Sequence, residues 1–201
     1  MFFSKKFTLA GPIRGLVLVG YMMPMSVTAL LGKNLFLLDG GVINDLLMKV
    51  HLISSPIDWL VNGGTALGAV IAVNCWVGIP FNMLLLTSGL TGISTDIYES
   101  ASMDGANAFK RFIYITLPLM KPAMLSVLML GFIYTFKAFD LMYIMTAGGP
   151  FNSTDVLGTY AYSKAFTQYE FSQGSAIAMV LFACLFLVGI FYLKLLSKED
   201  D

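Results

Sequence analysis

Four long apolar stretches alternate with short polar segments along the chain. Runs without a charged side chain include 15–32, 122–136 and 171–193, and a further largely apolar stretch covers 59–95. A helix that crosses a bilayer needs about 20 mostly apolar residues, each adding about 1.5 Å of length. We therefore predict four membrane helices, with approximate limits 14–36, 65–90, 118–140 and 171–195.

The third predicted helix is flanked by charge, which leaves an alternative open. Lys121 and Lys137 lie near its two ends, about 24 Å apart along a helix, so they can snorkel toward opposite interfaces. The alternative is a buried helix of a water-soluble core. In the second helix, we interpret Pro80 as a kink, because transmembrane proline is tolerated where neighbours satisfy the backbone.

Two connections on the opposite side from the main polar stretch carry turn signals. In 37–64, apolar residues recur at helical spacing, which predicts a short interfacial helix over 42–52. In 146–154, Gly148, Gly149 and Pro150 predict a sharp turn, and the aromatic residues after it suit an interfacial belt. Neither connection has room for a soluble domain, so we expect one transmembrane domain over residues 1–201.

Composition agrees with a membrane protein. The chain is 57% hydrophobic and 12% charged, with a mean hydropathy of +0.79, which is far from an ordinary soluble domain. Its formal net charge is zero, so nothing indicates a nucleic-acid partner. Cys75 and Cys184 each lie mid-span among apolar neighbours, so we expect packing rather than a disulfide or a metal site.

Charge placement predicts the orientation. If the polar stretch 94–117 is cytoplasmic, four crossings put both termini on the same side, and Lys and Arg can be counted by side. Eight are then inside (Lys5, Lys6, Arg14, Lys110, Arg111, Lys121, Lys194, Lys198) and four outside (Lys33, Lys49, Lys137, Lys164). This ratio agrees with the positive-inside rule. The start resembles a signal peptide, but it lacks a convincing cleavage pattern, so we expect the first helix to be a retained anchor.

The stretch 94–117 predicts helical structure outside the membrane. Asp96 and Glu99 have the spacing of a capping box, with Asp as the capping residue. A narrow stripe of small and apolar residues falls on one helical face: Ile97, Ala101, Gly105, Ala108 and Phe112. Gly105 leaves two possibilities open, one continuous helix or two short helices that meet at a bend. By composition alone, a helix that merely lies on the membrane fits equally well.

Residue order in this stretch resembles the "EAA" loop of permease subunits of binding-protein-dependent ABC importers. Glu99-Ser100-Ala101 is followed by Gly105 four residues after the last alanine, and by Ile115, Leu117 and Pro118. Ser100 departs from the usual alanine. Asp104-Gly105-Ala106, Phe112, Phe139-Asp140 and the segment 146–150 are similar to the carbohydrate-importing branch, and the similarity extends from about Arg14 to the C-terminus.

The resemblance implies a fold, partners and a coupling site. The implied fold is an all-α membrane bundle like that of type I ABC importer permeases, in the bacterial cytoplasmic membrane. The implied partners are a dimer of cytoplasmic ATPase subunits, a second permease subunit, an extracytoplasmic solute-binding protein and a sugar or sugar derivative. The implied ATPase-coupling residues are Asp96, Ile97, Glu99, Ser100, Ala101, Asp104, Gly105, Ala106, Ile115, Leu117 and Pro118. Lys110 and Arg111 pair either with acidic groups of the ATPase or with anionic lipid headgroups.

The chain departs from this family in length. Permeases of the carbohydrate branch usually have six or more spans, and two that would precede residue 14 are missing. We expect a truncated product, a fragment or a misassigned start site.

No covalent chemistry is expected from this chain. It contains no Gly-x-x-x-x-Gly-Lys-Ser/Thr loop, so ATP hydrolysis must come from another polypeptide. His51, the sole histidine, has no neighbouring Cys or Glu and is expected to be a solvated surface residue. We therefore predict no catalytic residue, metal or cofactor.

Sugars are bound by hydrogen bonds to hydroxyls and by stacking on aromatic rings. That chemistry is concentrated in two places, which give the predicted substrate path: Asn74, Trp76, Tyr134, Thr135, Lys137, Phe139, Asp140 and Tyr143. For Lys137 and Asp140, an ion pair at the interface is the alternative to lining the path. Two other functions stay open, an ATP-independent small transporter or channel and a nonfunctional truncated permease.

Overall fold

The computed structural model describes residues 10–197, and every regular element within them is helical. The α-helices are α1 (Ala10–Met22), α2 (Met25–Leu35), α3 (Val42–Lys49), α4 (Gly63–Thr91), α5 (Thr95–Met103), α6 (Ala108–Arg111), α7 (Leu117–Leu119), α8 (Lys121–Phe136), α9 (Asp140–Thr146), α10 (Leu157–Tyr162) and α11 (Phe171–Ser197). Two π-helices follow α6 and α10, at Phe112–Thr116 and Ser163–Thr167.

Two of these helices are long and apolar enough to cross a membrane by themselves. They are α4 and Phe171–Leu195 of α11, and two further spans result if each of two bent helix pairs counts as one. Lipid offers the backbone no hydrogen-bonding partner, so a crossing segment must satisfy its own N–H and C=O groups as a helix. The predicted helices 65–90 and 171–195 agree closely with α4 and α11.

The predicted helix 14–36 is wrong as one continuous element. The structure ends α1 at Met22 and begins α2 at Met25, with Pro24 at φ −56° and ψ 140°. Proline has no N–H to donate and disfavours helical backbone in the residue before it, which accounts for the break.

The predicted helix 118–140 is also interrupted. Residues Ala108–Leu119 and Lys121–Phe136 meet at an angle of 62°, so Pro118 lies before the bend and Pro122 lies in the first turn of α8. The helix then ends at Phe136, and Asp140 begins α9 instead of ending the span. Lys137 and Asp140 are both exposed and form no ion pair with each other, so the predicted pairing is wrong. Within the described residues, Lys164 does form an ion pair, with Glu170 at 3.0 Å.

The described residues divide into two compact units. One contains 10–21, 78–133 and 190–197, and the other contains 22–77 and 134–189. In the first, α4 approaches the start of α8 so closely that a Cβ on Gly89 would lie 2.6 Å from Cβ of Ala123. The Ser126 and Tyr192 hydroxyls are 3.1 Å apart, which joins α8 to the end of α11.

The second unit contains a buried apolar core formed by α2, the first half of α4 and α9. Its members are Ala29, Phe36, Ala69, Val70, Val73, Leu141, Met142 and Met145. Gly32 lets α2 and α4 approach, since a Cβ there would lie 2.7 Å from a methyl group of Val73. Because the core is close-packed, it holds these helices in one arrangement.

Asn44 organises the connection between α2 and α4. Its side chain is 1% exposed; Nδ2 donates to the carbonyl oxygens of Leu37, Leu38 and Ile57. Its Oδ1 accepts from the Ile57 amide at 3.1 Å and from the Trp59 indole at 2.9 Å. One amide thus satisfies five backbone and side-chain groups around α3, the helix predicted as 42–52.

We expect Asn44→Ala to lower the free energy of unfolding by about 3 kcal/mol, because it removes five partly buried hydrogen bonds, among them the one to the Trp59 indole N–H. Thermal unfolding in a mild detergent measures this. Asn34→Ala, at an exposed position of α2, is the control and should change stability little. Equal effects of the two substitutions would contradict the role of Asn44.

Candidate functional site

The stretch predicted as a polar loop folds into a helical hairpin, formed by residues 94–119. Its first arm is α5, and its second is α6 with the π-helix Phe112–Thr116 and α7. The capping residue of α5 is Ser94, whose Oγ accepts from the Asp96 amide at 3.3 Å. The predicted capping by Asp96 and Glu99 is therefore wrong, because Ser94 has the extended backbone that an N-cap needs and Asp96 is already inside the helix.

Gly105 makes the turn between the arms. Its φ is +75°, and its amide donates to the carbonyl of Ser102 while that of Ala106 donates to Ala101 at 2.9 Å. This pair of hydrogen bonds is a Schellman motif, in which the left-handed residue is usually glycine. Asn107 then caps α6, with Oδ1 accepting from the Lys110 amide at 2.8 Å. The sequence left open one continuous helix or two short helices that meet at a bend, and the structure confirms the second possibility.

Side-chain hydrogen bonds join the two arms. The Tyr98 hydroxyl is 2.9 Å from Oγ1 of Thr116, which is only 3% exposed. The Arg111 guanidinium donates to Oγ of Ser102 at 2.7 Å, and that hydroxyl donates to the carbonyl of Tyr98. The Arg111 side chain is thus engaged within the hairpin, whereas the Lys110 side chain is exposed.

The hairpin tip, defined here as Met103, Asp104, Gly105 and Phe109, presents apolar side chains on both sides of the turn. Met103 is 89% and Phe109 71% exposed. The predicted stripe does not lie on one helical face, because the turn at Gly105 leaves Ile97 and Ala101 on α5 and Ala108 and Phe112 on the second arm. Sequence reasoning missed Met103 and Phe109, although an apolar residue directly before a polar turn and another soon after it is a signal that could have found them.

The other predicted coupling residues lie along the same hairpin. Exposed positions of α5 hold four of them: Asp96, Ile97, Glu99 and Ser100. Ala106 follows the turn, Ile115 is half-buried in the π-helix, and Leu117 and Pro118 are exposed on α7. The hairpin thus brings together all eleven positions within one unit. Its charged side chains are three acidic (Asp96, Glu99, Asp104) and two basic (Lys110, Arg111), a net charge of −1.

The predicted substrate path is divided among three places in the second unit. Asn74 and Trp76 lie on α4, and Tyr134 and Thr135 on the last turn of α8, followed by the exposed Lys137. Trp76 lines a cavity of about 360 Å³ whose walls are almost entirely apolar.

Phe139 and Tyr143 are brought into contact at the start of α9, next to Asp140. Their rings stack with centroids 5.2 Å apart, and both touch Tyr162 of α10, at 5.2 Å and 4.9 Å. The chain of rings continues through Phe166 to Phe171. A hydrogen bond with Tyr162 raises the pKa of Tyr143, because it stabilises the protonated phenol.

No metal site emerges in the described residues. Between residues 10 and 197, no three His, Cys, Asp or Glu side chains are placed to hold an ion together.

Comparisons with known proteins give matches over nearly the whole chain. A family model described as "Binding-protein-dependent transport system inner membrane component" matches residues 1–198. A probable ABC transporter permease protein of Brucella suis is 31% identical over 188 residues, 94% of this chain and 65% of that protein. The trehalose/maltose transport system permease protein of Thermococcus litoralis is 34% identical over 184 residues, 92% of this chain and 61% of that protein. This chain thus spans less than two thirds of either relative.

A solved structure shows the same fold. It is the crystal structure of a bacterial ABC transporter involved in the import of the acidic polysaccharide alginate, and it matches with a TM-score of 0.86 at 18% identity. The match covers 100% of this chain and 70% of the other.

We expect Thr116→Val to loosen the hairpin without changing its shape, because valine keeps the volume but removes the hydroxyl that meets Tyr98. The hydrogen bond contributes about 1 kcal/mol. Amide hydrogen exchange over 95–103 should become several-fold faster. Thr95→Val, at an exposed position on the same hairpin, is the control, and unchanged exchange in Thr116→Val would argue against the clamp.

Proposed function

Because this chain belongs to the family of binding-protein-dependent transport system inner membrane components, we propose that it is the membrane-spanning permease subunit of an ATP-binding-cassette importer. Its all-helical fold is that of a type I importer permease. We propose further that residues 1–201 belong to one transmembrane domain in a bacterial inner membrane, with ATP hydrolysis by a partner chain.

The helical hairpin is the observation that carries this proposal. A segment that transmits motion from an ATPase to membrane helices must be rigid and must expose a contact surface. The two arms are capped by Ser94 and Asn107 and joined through Thr116, which supports rigidity. The hairpin tip supplies two exposed apolar side chains of the kind that anchor a partner in a shallow cleft.

We propose that the tip contacts the ATPase, and that the remaining coupling residues shape the hairpin behind it. Lys110 is the cation available for an acidic partner. A membrane surface is the less favoured partner, because a hairpin with net charge −1 is not attracted by anionic headgroups.

The proposed orientation places the hairpin and both termini in the cytoplasm. Its support is the count of eight against four basic residues. Lys5, Lys6 and Lys198 enter that count and lie outside the described residues. With the hairpin inside, the segments 37–62 and 147–156 face outward, where a solute-binding protein would deliver substrate to a path completed by a second permease subunit.

We propose a sugar or sugar derivative as the substrate. Two observations support it: the relative from Thermococcus litoralis is named for trehalose and maltose transport, and the rings of Phe139, Tyr143 and Tyr162 form a continuous aromatic surface. Aromatic faces stack on the apolar faces of sugars, and the Tyr143 phenol oxygen can accept a hydrogen bond from a sugar hydroxyl. Asn74, Trp76, Tyr134, Thr135, Lys137 and Asp140 are proposed as further lining.

Gly105→Pro should abolish co-purification with the ATPase subunits and the hydrolysis that substrate stimulates, because proline holds φ near −65° and Gly105 needs +75°. The full-length chain is expressed with candidate ATPase subunits, and both quantities are measured. Gly40→Pro is the matched control for co-purification, which it should leave intact, since Gly40 has φ +74° in the outward connection 37–62. Glu99→Lys tests the same surface.

Phe109→Ser changes the hairpin tip without altering the backbone, and we expect it to reduce ATPase binding at least tenfold. Tyr114→Ser is its control, at a 76% exposed position of the same hairpin. If Gly105→Pro, Glu99→Lys and Phe109→Ser all leave binding and hydrolysis unchanged, coupling is excluded. Uptake driven by an ion gradient would then favour an ATP-independent transporter.

Tyr143→Ala should raise the sugar concentration for half-maximal uptake about tenfold, since one stacking ring and one hydrogen-bonding phenol oxygen are lost. Tyr143→Phe should have a smaller effect because it keeps the ring. Tyr160→Ala, which removes a 43% exposed tyrosine outside this chain of rings, is the control. Equal effects of Tyr143→Ala and Tyr160→Ala would exclude Tyr143 from the path.

A further inference from the structure

The turn between α9 and α10, formed by residues 147–156 and called here the outer turn, is held by many hydrogen bonds. Thr154 is 2% exposed, and its hydroxyl donates to the carbonyl of Gly149 at 2.7 Å and meets Oγ1 of Thr146 at 2.6 Å. The Thr154 amide donates to the carbonyl of Gly148. Hydrogen bonds from Thr154 thus join the two ends of the turn.

The outer turn is also packed tightly at both ends. A Cβ on Gly148, which has φ +86°, would lie 3.0 Å from Oδ1 of Asp155, and the same carboxylate accepts from the Thr159 hydroxyl. A Cβ on Gly63, the first residue of α4, would lie 2.9 Å from Cβ of Ser153. Close packing against a transmembrane helix and capping at α10 leave the turn little freedom.

Phe151 stands at the tip of this rigid turn and is 98% exposed, more than any other large apolar side chain in the described residues. Its φ is +50°, and that of Asn152 is +59°. Left-handed backbone is unfavourable for residues with a Cβ and recurs where function requires it. The outer turn thus presents an aromatic ring fully to its surroundings at a cost in backbone energy.

The ring does not lie within a candidate membrane span, since these cover residues up to 136 and from 171 onward. One ring gives little membrane affinity beside the apolar area of an interfacial helix. The exposed Asn152 amide next to it would lose its water in hydrocarbon. A protein surface with an apolar pocket and a polar rim suits this pair better, because exposed aromatic residues on preorganised turns are typical interface anchors.

We propose that Phe151 is the anchor by which the outer turn binds the extracytoplasmic solute-binding protein. The proposal rests on the proposed function, which supplies both the partner and the outward orientation. The segment 147–156 carries one charged side chain, Asp155, which is engaged with Thr159. Contact at Phe151 is therefore apolar, and its contribution to affinity should change little with salt, unlike steering by exposed charges.

The experiment uses the full chain assembled with its ATPase and second permease subunits, and as probe the purified solute-binding protein that stimulates uptake by the unaltered transporter. Phe151→Ala should raise the dissociation constant for that protein about 30-fold, equally at low and high salt. Phe151→Trp should retain binding. Tyr114→Ala, at a 76% exposed aromatic position of the hairpin on the opposite side of the membrane, should bind like the unaltered transporter.

Two further variants test the same contact. Phe151→Cys should react with a membrane-impermeant maleimide from outside and be protected by the bound protein. Thr154→Val should weaken binding by releasing the turn, and Thr154→Ser, which keeps the hydroxyl, should restore it.

Unchanged affinity in Phe151→Ala, or labelling of Phe151→Cys that the binding protein does not protect, overturns the proposal. Absence of labelling, as expected for a ring inserted in lipid, overturns it too. These outcomes are scored only after the unaltered chain is seen to assemble and to hydrolyse ATP with its partners. Failure at that earlier step refutes the proposed function instead.

Discussion

The structure depends on one constraint, that a backbone in an apolar environment must satisfy its own hydrogen bonds. A long helix without internal proline, such as α11, satisfies it directly. Where a helix ends, polar side chains supply hydrogen bonds to the backbone groups. The carbonyls left between α2 and α4 are met by the Asn44 amide, and the turn after α9 is closed by Thr154. Polar side chains are few in this chain, and several of the buried ones lie at these interruptions.

Two segments that reverse the direction of the chain use the same physical arrangement. In the hairpin and in the outer turn, a residue with positive φ reverses the chain, buried threonine hydroxyls close the base, and an aromatic ring is left exposed near the tip. Rigidity would favour the contact proposed in each case, because less conformational freedom is lost when a preorganised surface binds its partner. A flexible loop with the same side chains would bind more weakly and would transmit less motion.

Several features could be predicted from sequence because they depend on local or one-dimensional information. The bounds of α4 and α11 follow from runs of apolar residues, and the bend at Gly105 follows from the freedom of glycine. The break at Pro24 does not follow from hydropathy, because the apolar run continues through the proline. The assignment of the N-cap to Asp96 failed by two residues, since Ser94 and Asp96 are both good capping residues and only backbone dihedrals distinguish them.

By itself, then, the sequence indicated a lipid environment, the approximate spans and the family resemblance. Composition, periodicity and residue order are properties of neighbours along the chain. Only the tertiary structure decided which side chains meet across it. Asn44 with Trp59, Tyr98 with Thr116 and Gly63 with Ser153 are separated by 15, 18 and 90 positions. The sequence also left open whether Phe109 and Phe151 are exposed, because the exposure of a side chain depends on which other parts of the fold pack over it.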